Sequence, residues 1–306
     1  MPRQTVSKII EAAISKAELV NYNPLKYFIL AMMAGVYVGF GVMLVFSIAA
    51  PFHAVGSPAV KLLMGASFAV ALSLVIFASS ELFTGNNMVM TIGSLSRKVA
   101  WKNTWQVWVM SYLGNLVGSL LLAFTLVQSG LVTKSPVKDF FLEIATIKIN
   151  APFSELLIRG ILCNILVCLA VWICFKIKEE VAKLVMIFWC LFAFVGSGFE
   201  HSVANMTLLG ISVLLPHDPA VISWLGYIKN LVPVSIGNLI GGAIFIGLAY
   251  WYIAKEKTNR SQPSIHPEAF DFLNSENSGE SLEPKGFHIP NHYFPPLTTK
   301  KKGIKQ

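Results

Sequence analysis

Three ionisable residues stand inside long, otherwise apolar stretches of this chain: Glu81, Glu200 and His201. An ionisable group in a hydrocarbon interior costs several kcal/mol, so each is a candidate for function. His201 is the only histidine inside any of these stretches. Its ordinary pKa of about 6.5 makes it the one side chain there that can exchange a proton near neutral pH. Glu81 and Glu200 sit in two polar interruptions, 79–87 and 196–205. At such places a carboxylate, charged or protonated, can hydrogen-bond backbone that a helix break sets free. Leu82, Phe83, Phe194 and Phe199 flank the same interruptions. Apolar side chains in that setting can form narrow constrictions that exclude hydrated ions, or simply pack. Thr84, Asn86, Asn87, Asn164 and Asn205 add uncharged donors, suited to holding an anion without trapping it. Lys148 lies shortly before the fourth apolar stretch. A lone cation there would concentrate anions at a pathway mouth; a solvated loop lysine is the ordinary alternative.

The elements that must position these residues are membrane-length helices. Of the 306 residues, 55% are hydrophobic and only 13% charged, and the apolar residues fall into six blocks: 27–50, 62–93, 105–128, 155–175, 184–215 and 230–254. About twenty residues of helix cross a hydrocarbon layer roughly 30 Å thick, so an all-α membrane protein of six transmembrane helices is expected. The second and fifth blocks are too long for one straight crossing, and each holds one of the polar interruptions. Both are therefore read as broken helices, and polar backbone at depth is tolerated only where protein buries it or it lines a watery cavity. A shared Gly-Asn-x-x-Gly motif follows each break, at Gly114–Gly118 and Gly237–Gly241. Glu81 and Glu200 are 119 residues apart, Asn115 and Asn238 123 apart. Two halves of three crossings each are implied; an odd number per half inverts the second half relative to the first, with the pathway at their interface. Gly35, Gly39, Gly114, Gly118, Gly237, Gly241 and Gly242 recur at spacings that let helices approach closely.

The net charge of +8 is spread over the ends and alternate loops rather than on one basic face, which argues against nucleic acid. By the positive-inside rule the basic loops and both termini are cytoplasmic. Residues 1–26 lack an apolar core followed by a cleavage site, and Val6, Ile9, Ile10, Ala13, Ile14 and Leu19 recur at helical spacing. An amphipathic cytoplasmic helix is expected, lying on the membrane surface or packing under a neighbouring subunit. Residues 27–254 form the membrane domain, and the polar, Pro-containing stretch 255–306, ending in a lysine cluster, reads as a disordered cytoplasmic tail. Cys163, Cys168, Cys174 and Cys190 lie inside apolar blocks without metal-ligand spacing, so no metal or cofactor is expected. A membrane-anchored redox subunit would need paired axial ligands, and one histidine at depth does not supply them.

The segments Ser80–Asn86, Gly198–Thr207, Arg159–Asn164 and Asn230–Val234 resemble the signatures of the formate/nitrite transporter family, and the likeness runs from about residue 8 to 254. The resemblance implies an aquaporin-like fold, a homopentamer with one pore per protomer in a bacterial-type cell membrane, and passage of formate, nitrite, hydrosulfide or lactate-type anions rather than catalysis. Carried over by motif, His201 is the central pore histidine. Thr84 with Leu82 and Phe83 forms one constriction, and Phe194 and Phe199 surround the other. Asn164 lies in the pore and Lys148 at its mouth. Leu82–Asn86 and Ala204–Leu209 resemble the nitrite-carrying branch more than the formate branch. The expected mechanism has Lys148 drawing in the anion and His201 donating a hydrogen bond or relaying a proton as the anion passes dry constrictions, leak and proton coupling both remaining open.

Overall fold

The computed structural model describes residues 2–255; the expected tail lies outside them from residue 256 onward. The described residues are helical, without strands. In chain order the helices are α1 (Pro2–Tyr22), α2 (Pro24–Ala54), α3 (Val60–Phe77), α4 (Phe83–Leu95), α5 (Trp101–Gln128), α6 (Val137–Asn150), α7 (Phe153–Lys176), α8 (Glu180–Gly196), α9 (Ser202–Leu214) and α10 (Trp224–Ile240). A π-helical segment, Gly241–Leu248, then continues α10 into α11 (Ala249–Ala254).

Five helical spans are long and apolar enough to cross a membrane: α2, α3, α5, α7 and α10 continued through α11. The sequence blocks number six and these spans five, because block 184–215 is divided into α8, of 17 residues, and α9, of 13, neither long enough alone. Block 62–93 is likewise split into α3 and α4. The long helices carry large apolar side chains on exposed faces, among them Phe40, Leu121, Phe124, Ile158 and Ile244. The two short helices invert that pattern. Every residue of α4 from Phe83 to Ser94 is buried although it includes Thr84, Asn86, Asn87 and Thr91, and α9 is nearly as enclosed. Polar side chains are thus inside and apolar ones outside, as a lipid-facing surface requires.

Small residues set the helix pairs. Gly35, Gly114 and Gly118 bring α2 and α5 together, and Gly160, Gly237 and Gly241 do the same for α7 and α10. At Gly118 a Cβ would fall on the Met32 carbonyl, and at Gly237 on that of Leu157. Backbone cannot yield as a flexible side chain can, so Gly118→Val is expected to lower the melting temperature in detergent by roughly 5 °C or more. Gly196→Ala, where an added Cβ meets nothing within 4 Å, is the control and should leave it unchanged.

The apolar face of α1 packs on the chain itself. Val6, Ile9, Ala13, Ala17 and Val20 are buried, a Cβ on Gly93 of α4 would abut Ala13, and Lys8 Nζ donates to the Phe175 carbonyl at the end of α7 at 3.2 Å. Ile10 and Ile14, at the edge of that face, remain partly exposed.

Candidate functional site

The two helix breaks are built alike. After α3 the chain turns through Ser79, in the left-handed region at φ 53°, and after α8 it turns through Gly198 at φ 76°. Glu81 N–H then donates to the Leu30 carbonyl and Glu200 N–H to that of Arg159, each at 3.2 Å. Two asparagines close the gaps. Asn115 Oδ1 accepts from Phe83 N–H at 2.9 Å, while its Nδ2 donates to the carbonyls of Glu81 at 2.9 Å and Ala31 at 2.7 Å. Asn238 repeats the set, accepting from Ser202 N–H at 2.9 Å and donating to the carbonyls of Glu200 at 3.0 Å and Gly160 at 2.8 Å. An asparagine suits this work because one side chain carries both an acceptor and two donors.

This arrangement corrects the expected role of the two glutamates. Neither carboxylate bonds the freed backbone; each is held by a lysine and an asparagine. Glu81 receives Lys16 Nζ on both oxygens, at 2.6 and 2.7 Å, with Tyr27 Oη and Asn86 Nδ2 each at 3.0 Å. Glu200 receives Lys148 Nζ on both oxygens at 2.7 Å and Asn205 Nδ2 at 2.6 Å. Lys148 is therefore neither a lone cation nor a solvated loop lysine: it stands in the last turn of α6, and its side chain is only 17% exposed. A buried carboxylate needs a paired, hydrogen-bonded partner, which explains why both lysines are drawn inward.

His201 caps α9. Its Nδ1 accepts the Ala204 N–H at 3.1 Å, so the neutral ring carries its proton on Nε2, which lies 3.1 Å from Thr84 Oγ1. In this tautomer His201 donates to Thr84, and the Thr84 hydroxyl proton remains available for another acceptor. A second proton on Nδ1 would confront the Ala204 N–H and break the cap. The geometry therefore favours a hydrogen-bond donor over a ring that cycles through the doubly protonated form.

Around His201 lies a chamber of about 10 Å³ bounded by Val38, Phe68, Ala71, Leu72, Leu82, Val167, Leu191 and Phe194. That is about the space of one water molecule, and every other lining side chain is apolar. Phe194 lies parallel to the His201 ring at 6.0 Å and meets Phe68 edge-on at 5.7 Å. Leu82 and Leu72 also line a second cavity of about 430 Å³, so they form the partition between the two.

Of the residues singled out from sequence, Leu82, Phe194 and His201 meet at this chamber, with Thr84 bonded to it through His201. Asn164 braces it from behind, giving Nδ2 to the carbonyls of Thr84 at 3.2 Å and Asn238 at 2.5 Å. Asn205 is engaged with Glu200 and, at 2.8 Å, with Asn230. Phe83 does not line the chamber; it packs edge-on against Tyr112 at 5.1 Å, in a groove with Trp105 and Trp108. Phe199 is half-buried and is absent from the chamber wall. Sequence reasoning missed Asn115 and Asn238 as the bonding groups, since their motif was read as packing. It also missed Lys16, although Lys16 falls at helical spacing with the buried Ala13, Ala17 and Val20.

Residues 3–252 match the model of a family described as formate/nitrite transporter. The "Nitrite transporter NirC" of Escherichia coli K12 is 41% identical over 259 residues, 84% of this chain and 93% of that protein. Among solved structures, an "FNT family ion channel" aligns with TM-score 0.78 and 39% identity over 82% of this chain and 99% of that one. A "Pentameric formate channel with formate bound" aligns with TM-score 0.66 and 30% identity over 74% of this chain and 96% of that one. Nearly the whole helical body is matched in sequence and in shape, and the chain belongs to the formate/nitrite transporter family.

Proposed function

We propose that this protein is a multi-pass membrane channel or transporter for a small monovalent anion, with nitrite its principal substrate. The observation that carries the reading is the chamber of about 10 Å³ at the meeting of the two breaks, apolar except for His201 and shut off by Leu82 from a much larger cavity. A hydrated ion does not fit such a space, so an anion must leave its water behind, and the apolar side chains must give way, for it to pass the one donor there. The 41% identity to a nitrite transporter supports nitrite ahead of formate.

In this reading α3 with α4, and α8 with α9, each make one composite crossing, giving six in all. The matched bond sets of Asn115 and Asn238 support two inverted halves. Residues 27–254 form the transport domain, with both termini and the tail 255–306 on the cytoplasmic side of a bacterial-type plasma membrane. Likeness to a pentameric channel supports a homopentamer with a pore in each protomer. Leu82 and Phe194 are the apolar gates and His201 with Thr84 the donor pair, while Glu81, Glu200, Lys148, Asn164 and Asn205 hold the breaks in register. Phe83 and Phe199 act outside the chamber. No bond in the anion is made or broken, and any proton accompanies the anion rather than residing on His201 Nδ1.

Uptake of nitrite, formate, hydrosulfide and lactate into proteoliposomes, with and without an inward proton gradient, tests this reading. Nitrite should lead and a proton gradient should accelerate it; formate ahead of nitrite would overturn the substrate assignment. Leu82→Ala should join the chamber to the larger cavity and raise chloride leak about tenfold, a barrier change of about 1.4 kcal/mol. Unchanged chloride leak in that variant would remove Leu82 from the gate.

A further inference from the structure

The cavity of about 430 Å³ on the other side of Leu82 is walled by α1, the end of α3, the first break, α7 and α8. Three charged side chains line it: Lys16, Glu81 and Lys183. Lys16 and Glu81 offset each other through the two short bonds already described, and Glu81 is further satisfied by Tyr27 and Asn86. Lys183 is placed differently. Its partner is Glu180, three residues earlier in α8 at 2.9 Å, and that carboxylate side chain is 63% exposed while Lys183 is 18% exposed. Because that carboxylate reaches solvent and is screened, it holds the ammonium less firmly than the buried carboxylates hold Lys16 and Lys148. Among the charged side chains of the wall, Lys183 is the one whose carboxylate partner lies outside the lining, so its ammonium can exchange that partner for an incoming anion.

The two volumes give that charge a purpose. An anion must shed its water between a cavity of about 430 Å³ and a chamber of about 10 Å³, and it needs to be held near the partition while it does so. We propose that Lys183, with the Ser79 hydroxyl on the same wall, forms a loading site that holds a small hydrated monoanion before it passes Leu82. This inference rests on the anion-pathway reading above. The pairing with exposed Glu180 keeps the site from binding too tightly, since conduction needs entry and release alike.

Cys174 lines the same cavity and supplies a reporter that is independent of transport. It is half-buried, whereas Cys163, Cys168 and Cys190 are buried. The test compares the rates at which an anionic and a cationic methanethiosulfonate modify Cys174 in the full-length solubilised protein. Their ratio cancels the thiol acidity common to both reagents. Lys183→Gln is expected to lower the anionic-to-cationic ratio about fivefold, the effect of one unit charge at short range in a partly hydrated site, and Lys183→Arg to preserve it. Sodium nitrite should slow labelling of the unmodified protein and not of Lys183→Gln. If Lys183→Gln leaves both the ratio and the nitrite protection as they were, the loading site is wrong. Failure of the transport reading would show separately, as absence of nitrite flux in proteoliposomes, because the labelling ratio does not depend on flux.

Discussion

Asn115→Leu and Asn238→Leu are each expected to deprive the protein of most of its folded, detergent-stable form. Each leucine keeps the branching of the asparagine it replaces but strands one N–H and one carbonyl at the break, those of Phe83 and Glu81 in the first case and Ser202 and Glu200 in the second, and it takes a second bond from an in-helix carbonyl, Ala31 or Gly160. A buried backbone group without a partner costs about 1–3 kcal/mol, so two together amount to a large part of a typical stability of roughly 5–15 kcal/mol. Both asparagines are fully buried, and water cannot substitute. Thermal melting followed by size-exclusion chromatography reads the effect. Ser119→Ala serves as control because its single buried bond, to the Gly35 carbonyl, is long at 3.4 Å. Melting of either leucine variant within a degree or two of that control would show that the breaks are held by something else.

The second large effect is on flux. His201→Asn is expected to keep the fold, because asparagine is itself a favoured N-cap and can take over the bond to the Ala204 N–H. It cannot also present a donor where Nε2 meets Thr84, so an anion in the chamber loses that donor pair. A hydrogen bond to a charged group is worth about 1.5–3 kcal/mol, which predicts nitrite flux reduced roughly 10- to 100-fold. Initial rates in proteoliposomes with matched protein content measure it. Wild-type rates in a well-folded His201→Asn protein would mean the histidine serves α9 alone.

Much of this was legible in the sequence, for identifiable reasons. Polar residues in an apolar run are conspicuous, so the breaks at 79–87 and 196–205, and the pairing of Glu81 with Glu200, stood out before any coordinates. Which group bonds which was not legible. Asn115 lies in a helix 34 residues beyond the Glu81 carbonyl it holds, and a Gly-Asn-x-x-Gly motif looks the same whether the asparagine packs or bonds. Lys16 and Lys148 read as surface charges because a sequence shows charge but not burial; each is drawn in by a carboxylate 65 or 52 residues away. Phe83 illustrates another limit. It adjoins Leu82, yet α4 begins at Phe83, and the change from extended to helical backbone turns the two side chains toward different cavities. The apolar face of α1 was visible as periodicity, but its partner, α4 of the same chain, was not.

The measurement that bears most directly on the account is nitrite influx into proteoliposomes carrying the wild-type protein or Leu82→Trp, which fills the partition between the two cavities. The account predicts saturable influx well above protein-free vesicles in the first case and near-complete block in the second, with both proteins eluting at the same size. Equal influx through both, or none above the protein-free level in either, would contradict passage of the anion past Leu82 and His201.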